Sequence, residues 1–394
     1  MRRRGVLVMM SCVALATSCT GTSPSSSPAT TGPGPGTTAS SAAPTAATSL
    51  PSTPIPSPHR SGSPSASATA SPSATSSPST SAVAPRVSPG VPAVGVGRDA
   101  FVAVSVATLW RTPGSARRVD RPALASPAGI RQWLSNMTLT DRRGLVGRAD
   151  TQVLMGDRVR VVARSGSWVK VVVPDQPTPL DSLGYPGWVP TLQLTAIRPV
   201  SSAAVATVVA RTAWLRTDNA SATRVSEISF GTRLPRVGAS GAWVRVATPT
   251  GRVLRLAVGA VVVRAPAAAA LPRTGIEVVR TAQMFTGLPY LWAGRSGFGF
   301  DCSGLTSLGY RVHGVTIPRD ADAQAVRGEA VSAAALRPGD LLFYATRGYV
   351  HHVSIYAGNG RMVQSPKTGS SVQTISMSTP AYAREYAGGR RFIG

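Results

Sequence analysis

From residue 20 to about 93 this chain is built from Ser, Thr, Pro, Ala and Gly, with few exceptions such as His59, Arg60 and Arg86. Such a tract has too little apolar surface to offset the entropy of ordering it, so the sequence predicts a disordered linker over 20–93. As a flexible coil its root-mean-square reach is roughly 50 Å. Folding is therefore confined to the residues after the linker. Before it, Met1 to Arg4 is basic, an apolar run extends to Ala16, and small residues lead to Cys19. A dozen apolar residues is too short for a membrane span and fits an export signal over 1–19.

The cysteine after small residues resembles a bacterial lipoprotein processing site, which implies lipidation at Cys19. Ala16 stands where such sites usually carry leucine, and ordinary signal cleavage giving a secreted protein is the alternative. Lipidation would anchor the chain to the outer face of the cell membrane. Cys12 falls in the signal, which leaves Cys302 as the free thiol of the folded part. Net charge is +25, and arginine supplies nearly all of the basic residues, with only Lys170 and Lys367 as lysine. For an exported chain the available polyanions are wall polymers or a membrane surface, and a charge spread over a solvated surface is the plainer account. No aromatic-basic interleaving along the chain suggests a nucleic-acid groove.

Short strands are expected over 94–199. Gly156 to Val162 alternates with period two, a turn follows at Arg164–Ser167, and Trp168–Val173 is strand-like again. Gly187-Trp188-Val189-Pro190 closes this unit. A weaker echo comes over 200–265, where Ala213–Arg216 matches Thr108–Arg111 and Gly231–Val246 matches Gly156–Val171. Two small β-barrels in tandem explain the repeat, the first with an insertion over 113–150. Over 266–394 the pattern changes. Gly275–Thr286 predicts an amphipathic helix with Ile276, Val279 and Met284 on its apolar side. Cys302 opens a second helix, and strands follow at Leu341–Tyr344, Val350–Tyr356 and Gly360–Gln364. Helices followed by an antiparallel sheet make an α+β domain.

A lone thiol in an exported chain is a core filler, an intermolecular bridge or a nucleophile. At the first turn of a helix, Cys302 meets the positive end of the helix dipole, which lowers a thiol pKa, and free N–H groups there can hold an oxyanion. Asp301 is placed to cap that helix. Three histidines are available as base. His313 follows the helix on a loop and is expected in solvent. His351 and His352 face opposite ways on one strand, and His352 shares its face with Ser354 and Tyr356 rather than with Val353 and Ile355. His352 is the expected base. Gln364 is the expected third residue, its amide oxygen fixing the imidazole tautomer. A plain two-residue turn at Asn359-Gly360 would put Gln364 on the wrong face, so this role requires a bulged or three-residue connection. No metal or other cofactor is expected, because two adjacent histidines cannot chelate from one face and no second cysteine is near.

Residues 275–394 resemble the NlpC-like cysteine peptidases of bacterial cell walls. The matching stretches are Gly287–Gly294, Asp301–Gly304, Ile317–Asp320, Leu336–Leu341 and His352–Tyr356. The resemblance implies a papain-like fold with Cys302, His352 and Gln364 at the catalytic positions. It also implies substrate contacts from Tyr290, Asp301, Ser303, Arg319 and Asp320. Ser354 replaces the usual glycine, Gln364 the commoner histidine, and Ala321 a frequent serine. Thr151–Gly156, Gln176–Pro179 and Gly184–Val189 resemble the first bacterial SH3-like domain of γ-D-glutamyl-L-diamino-acid endopeptidases. That likeness implies that the first barrel helps wall the active site and that Tyr185, Asp301 and Asp150 (or Asp157) meet the free amine of an N-terminal L-alanine. The expected substrate is a peptidoglycan stem peptide. A catalytically inert wall-binding module, and an amidase or acyltransferase with the same Cys-His dyad, are the alternatives.

Overall fold

The computed structural model describes residues 93–394, so the expected signal peptide, Cys19 and nearly all of the expected linker lie outside the described residues. The first sheet has strands β1 (Asp99–Val102), β2 (Val106–Trp110), β3 (Ala149–Leu154), β4 (Arg158–Ser165), β5 (Trp168–Val173), β6 (Tyr185–Pro190) and β7 (Leu194–Thr195). They lie in the order β3-β2-β6-β5-β4-β1-β7. Alternation drives this sheet: in β4, Val159 and Val161 are buried while Arg158 and Arg160 face solvent. Ser165 pairs with Trp168, so a two-residue turn joins β4 to β5, and Gly166 opens it at φ 55.

Between β2 and β3 the insertion folds into three short helices, α1 (Arg121–Leu124), α2 (Ile130–Asn136) and α3 (Leu139–Arg143). Asp120 anchors them, taking hydrogen bonds from the Trp133 indole at 2.8 Å and from Arg117. Trp133, Ile130 and Leu145 then enter one continuous core with Phe285, Phe298 and Leu308 from the C-terminal part of the chain.

The second sheet repeats the first. Strands β8 (Val205–Val208), β9 (Thr212–Thr217), β10 (Arg224–Ser229), β11 (Arg233–Ser240), β12 (Trp243–Ala247), β13 (Val253–Ala257) and β14 (Val261–Arg264) run in the order β10-β9-β13-β12-β11-β8-β14. That is the same arrangement with every strand number advanced by seven. Even the hairpin is kept: Ser240 pairs with Trp243, and Gly241 opens the turn at φ 54.

The C-terminal part holds α4 (Gly275–Gln283), β15 (Arg295–Ser296), β16 (Gly299–Phe300), α5 (Cys302–Val312) and α6 (Ala321–Ala325). Strands β17 (Glu329–Val331), β18 (Leu341–Thr346), β19 (Tyr349–Gly358), β20 (Arg361–Gln364), β21 (Gln373–Ser376) and β22 (Tyr386–Arg391) come next, with α7 (Pro380–Glu385) before the last. The six-stranded sheet runs β17-β22-β18-β19-β20-β21. Its α5-facing side is apolar, with Val353 and Ile355 fully buried.

Two expectations from the sequence need correction. Ile276 is half-exposed, whereas Val278, Val279 and Ala282 are buried. The buried face of α4 is centred between residues 278 and 282, and at 100° per residue Ile276 falls on the far side. His313 is fully buried, not solvated. Its Nε2 meets Thr281 Oγ1 at 2.9 Å and its Nδ1 meets the Pro272 carbonyl at 2.5 Å, so both ring nitrogens are satisfied. A partnered imidazole can be buried where a free one could not.

Candidate active site

Cys302 is the first residue of α5 and the free cysteine among the described residues. Asp301 is the N-cap, and its Oδ1 accepts from the Gly304 amide at 2.6 Å. Glycine is required three residues on, because a Cβ at Gly304 would stand 2.0 Å from the Gly294 carbonyl. That close approach presses the helix start against the 291–300 segment. Cys302 keeps a solvent-accessible edge. Dense surroundings, with Asp301 beside it, push the thiol up to about 12, against the opposing pull of the Val353 and Ser303 amides.

His352 lies on β19, next to Val353, and its Nε2 meets Gln364 Oε1 at 2.6 Å. The connection carries the needed irregularity. Tyr356 pairs with Met362 and Gly358 with Arg361, so Ala357 is bulged out and Gln364 comes to the His352 side. An amide oxygen only accepts, so His352 Nε2 carries the proton and Nδ1 is left as the basic atom. Burial lowers the imidazole to about 4. Both shifts favour a neutral thiol and a neutral imidazole over an ion pair. The thiolate expected from the helix dipole is outweighed by burial and by Asp301. Ser354, where glycine is usual, is fully buried and lies 3.0 Å from the Tyr344 hydroxyl.

The remaining expected residues gather at the seam with the first sheet. Arg319 is almost wholly buried and grips Asp301 with two bonds, 3.1 and 2.6 Å, as well as Ser303 Oγ at 2.9 Å. Its Nε reaches Thr151 Oγ1 on β3 at 2.7 Å, and its backbone N–H donates to Pro177. Both Asp301 oxygens are thereby engaged inside the protein. Asp157 is engaged as well, with Arg311 at 2.6 Å and the Leu154 amide at 3.0 Å. Asp150 pairs with Arg111 at 2.7 Å and sits near Tyr185. Burial raises the Tyr185 phenol above its ordinary value, and the neighbouring Asp320 adds to this. Asp320 itself is raised to about 6, chiefly by burial and despite Arg319. Tyr290 is buried, which raises its phenol, and it lies close enough to Cys302 and Asp301 for an anion at either to raise it further.

Several contributors carry no sequence signal that would single them out. Thr151 Oγ1 donates to Gln176 at 2.6 Å, and Gln152 Oε1 accepts from Arg295 N–H and Ser296 Oγ–H. Trp292 Nε1 donates to the Ala149 carbonyl at 2.9 Å. The bonds at Gln152 and Ala149 fasten β3 to the 292–296 segment that leads into the helix bearing Cys302. Tyr382, on α7, packs 5.8 Å from the His352 ring and 5.2 Å from the Tyr344 ring. It also faces the Gln364 amide, whose Nε2 is buried without a hydrogen-bond partner of its own. Tyr382 sits in a polar, aperiodic stretch, so nothing along the chain points to it.

Comparison with known proteins agrees with this geometry. Residues 287–391 match the NlpC/P60 family, and residues 208–263 match the YKFC SH3b2 domain. A γ-D-glutamyl-L-lysine dipeptidyl-peptidase from Bacillus cereus is 41% identical over 303 residues, covering 75% of this chain and 91% of that protein. The enzyme of the same description from Bacillus subtilis is 38% identical over 292 residues, covering 73% and 96%. The crystal structure of an NlpC/P60 family protein from Bacillus cereus superposes with a TM-score of 0.72 at 39% identity, covering 75% of this chain and all of that one. With a free cysteine opening a helix, a buried histidine on the adjoining strand and relatives matched over nearly their whole length, this chain belongs to the NlpC/P60 family of cysteine peptidases.

Proposed function

We propose that this chain is an exported peptidoglycan endopeptidase that hydrolyses the amide between γ-D-glutamate and the diamino acid of stem peptides. The observation that carries this reading is the seam itself. A partly buried Tyr185–Asp320–Asp150 cluster lies beside the Arg319–Asp301 clamp. Two carboxylates beside a tyrosine hydroxyl suit a substrate that ends there in a free amine, as an L-Ala-γ-D-Glu fragment does. Because Asp301 is already taken up by Arg319 and its own helix, the amine contact falls to Tyr185, Asp320 and Asp150. The two Bacillus relatives are γ-D-glutamyl-L-lysine dipeptidyl-peptidases, which supports the same bond here.

In this reading Cys302 Sγ attacks the γ-carbonyl as His352 Nδ1 takes its proton. Backbone N–H groups at the start of α5 hold the oxyanion. Imidazolium returns the proton to the leaving amine, and water then resolves the thioester. Attack from a neutral pair couples proton transfer to bond formation. The two seven-stranded sheets read as SH3-like barrels over 94–199 and 200–265, and residues 266–394 as a papain-like α+β domain. Lipidation at Cys19, with the linker as tether, would hold the enzyme at the outer membrane face.

The test is mass spectrometry of defined stem-peptide fragments with and without a free N-terminal amine. New diamino-acid amino termini, formed much faster from the free-amine peptide, are expected. Release of ammonia or of a transferred acyl group instead would assign an amidase or acyltransferase. Equal cleavage of N-acetylated and free peptides would remove the amine pocket while leaving the peptidase.

A further inference from the structure

The second sheet carries a row of arginines that the proposed chemistry does not use. Arg245 on β12 pairs with Arg255 on β13, Arg255 with Arg216 on β9, and Arg216 with Arg224 on β10. Directly paired residues of an antiparallel sheet share a face. Four guanidinium-bearing side chains therefore stand side by side across four adjacent strands. At about 4.8 Å between strands the row is roughly 14 Å long. Like charges placed opposite one another destabilise a sheet, so this row works against the fold that bears it.

Charge compensation is slight. Residues 201–264 contain nine arginines against Asp218 and Glu227. Asp218 pairs with Arg245 at 2.7 Å, and Glu227, whose carboxylate is gripped by Arg131, is near enough to Arg224 to feel its charge, which leaves Arg216 and Arg255 without a carboxylate partner among the described residues. Aromatic rings do the holding. Arg255 and Arg216 lie 4.8 and 5.8 Å from the Trp243 ring centroid, and Arg224 lies 5.0 Å from that of Trp214. Arg216 and Arg255 each donate to a carbonyl of the 217–223 loop, at Ala222 and Asn219. A guanidinium has five N–H donors, so these bonds fix orientation and leave most donors over. Arg255 Nε is buried without a partner.

We infer that this face docks a linear phosphodiester polymer, the guanidinium groups pairing with successive phosphates. Charge complementarity selects the occupant. A row of planar cations seated on Trp214 and Trp243 matches a string of phosphates, which bind guanidinium through paired N–H bonds. A single small anion would need one or two of these groups, not four in line. For an extracytoplasmic enzyme, such a polymer would hold the active site within the wall.

The test is a titration of the full chain with synthetic poly(glycerol phosphate) at low and moderate ionic strength. The row variant Arg216→Ser/Arg224→Ser/Arg255→Ser is compared with Arg98→Ser/Arg273→Ser/Arg327→Ser, which removes the same charge from exposed positions elsewhere. Affinity should fall at least tenfold in the row variant and less than threefold in the scattered one, with peptide hydrolysis unchanged in both. Arg224→Ser alone, an exposed side chain that packs on the Trp214 ring beside Glu227, should lose two- to threefold, guarding against misfolding of the triple variant. Equal losses in the two triple variants would overturn the inference in favour of diffuse charge. Binding to phosphatidylglycerol vesicles but not to the soluble polymer would overturn it in favour of a lipid surface.

Discussion

The two seven-stranded sheets share one strand order and one hairpin, yet they differ most at the connection between their second and third strands. Between β2 and β3 the first sheet inserts three helices, and the core of that insertion runs on into the catalytic part. Between β9 and β10 the second sheet has only a short loop, pinned down by Arg216, Arg245 and Arg255. In the first copy, β3 lends Thr151 and Gln152 to the active-site seam. In the second, β10 lends Arg224 to a cationic row. A duplicated scaffold is thus put to two uses by what hangs from one loop, because the strands fix geometry and the connection decides what that geometry meets.

Five measurements put this contrast at risk. Replacing the thiol should have the largest effect: Cys302→Ala is expected to remove hydrolysis by at least about 10³-fold with the melting temperature kept, and retained turnover would discard the assignment. Trp133→Ala in the insertion should cost about 3–5 kcal/mol of stability in denaturant unfolding and lower kcat/KM, whereas Trp243→Ala on the second sheet should leave kcat/KM within about twofold. Similar activity losses for both would mean that the second sheet also shapes the site.

Gln364→Leu removes the acceptor that fixes the His352 tautomer, and kcat should drop by about 10²-fold at unchanged KM. Gln364→His should keep most of that activity; if Leu and His perform alike, the amide is only packing. The pH dependence separates the two ends of the site. Asp320 binds an amine only when ionised, so kcat/KM for a free-amine peptide should fall as pH drops through about 6. An N-acetylated peptide does not need that charge, and its weaker activity should persist toward about 4, where His352 protonates. Coincident limbs near the ordinary histidine value for both peptides would show that burial does not set these groups. The smallest effect is assigned to Tyr382→Phe, a loss of about two- to fivefold in kcat, read beside the histidine NMR signals for any change of tautomer.

Much of the site is legible in the sequence because its signals are local. The Asp301–Gly304 stretch needs a cap, a nucleophile and a glycine within one helical turn, and those demands fall on neighbouring residues. The face of His352 follows from period-two alternation, and the bulge at Ala357 follows from asking how Gln364 could reach it. Ile276 and His313 escape such reasoning for one cause. Their burial depends on which side of α4 meets the rest of the fold and on the Pro272 carbonyl, which lies 41 residues from His313 in the chain.

Spacings of a few residues were enough to specify the strands, the helix behind the cysteine, the repeat of the two sheets and the candidate catalytic pair. Folding in three dimensions had to supply the rest. Arg319 ties Asp301 to Thr151, which lies 168 residues from that arginine in the chain, burial favours the neutral thiol and imidazole, and four scattered arginines align in one row. Register and burial are properties of contacts between distant segments. No periodicity along the chain records which of those segments will meet.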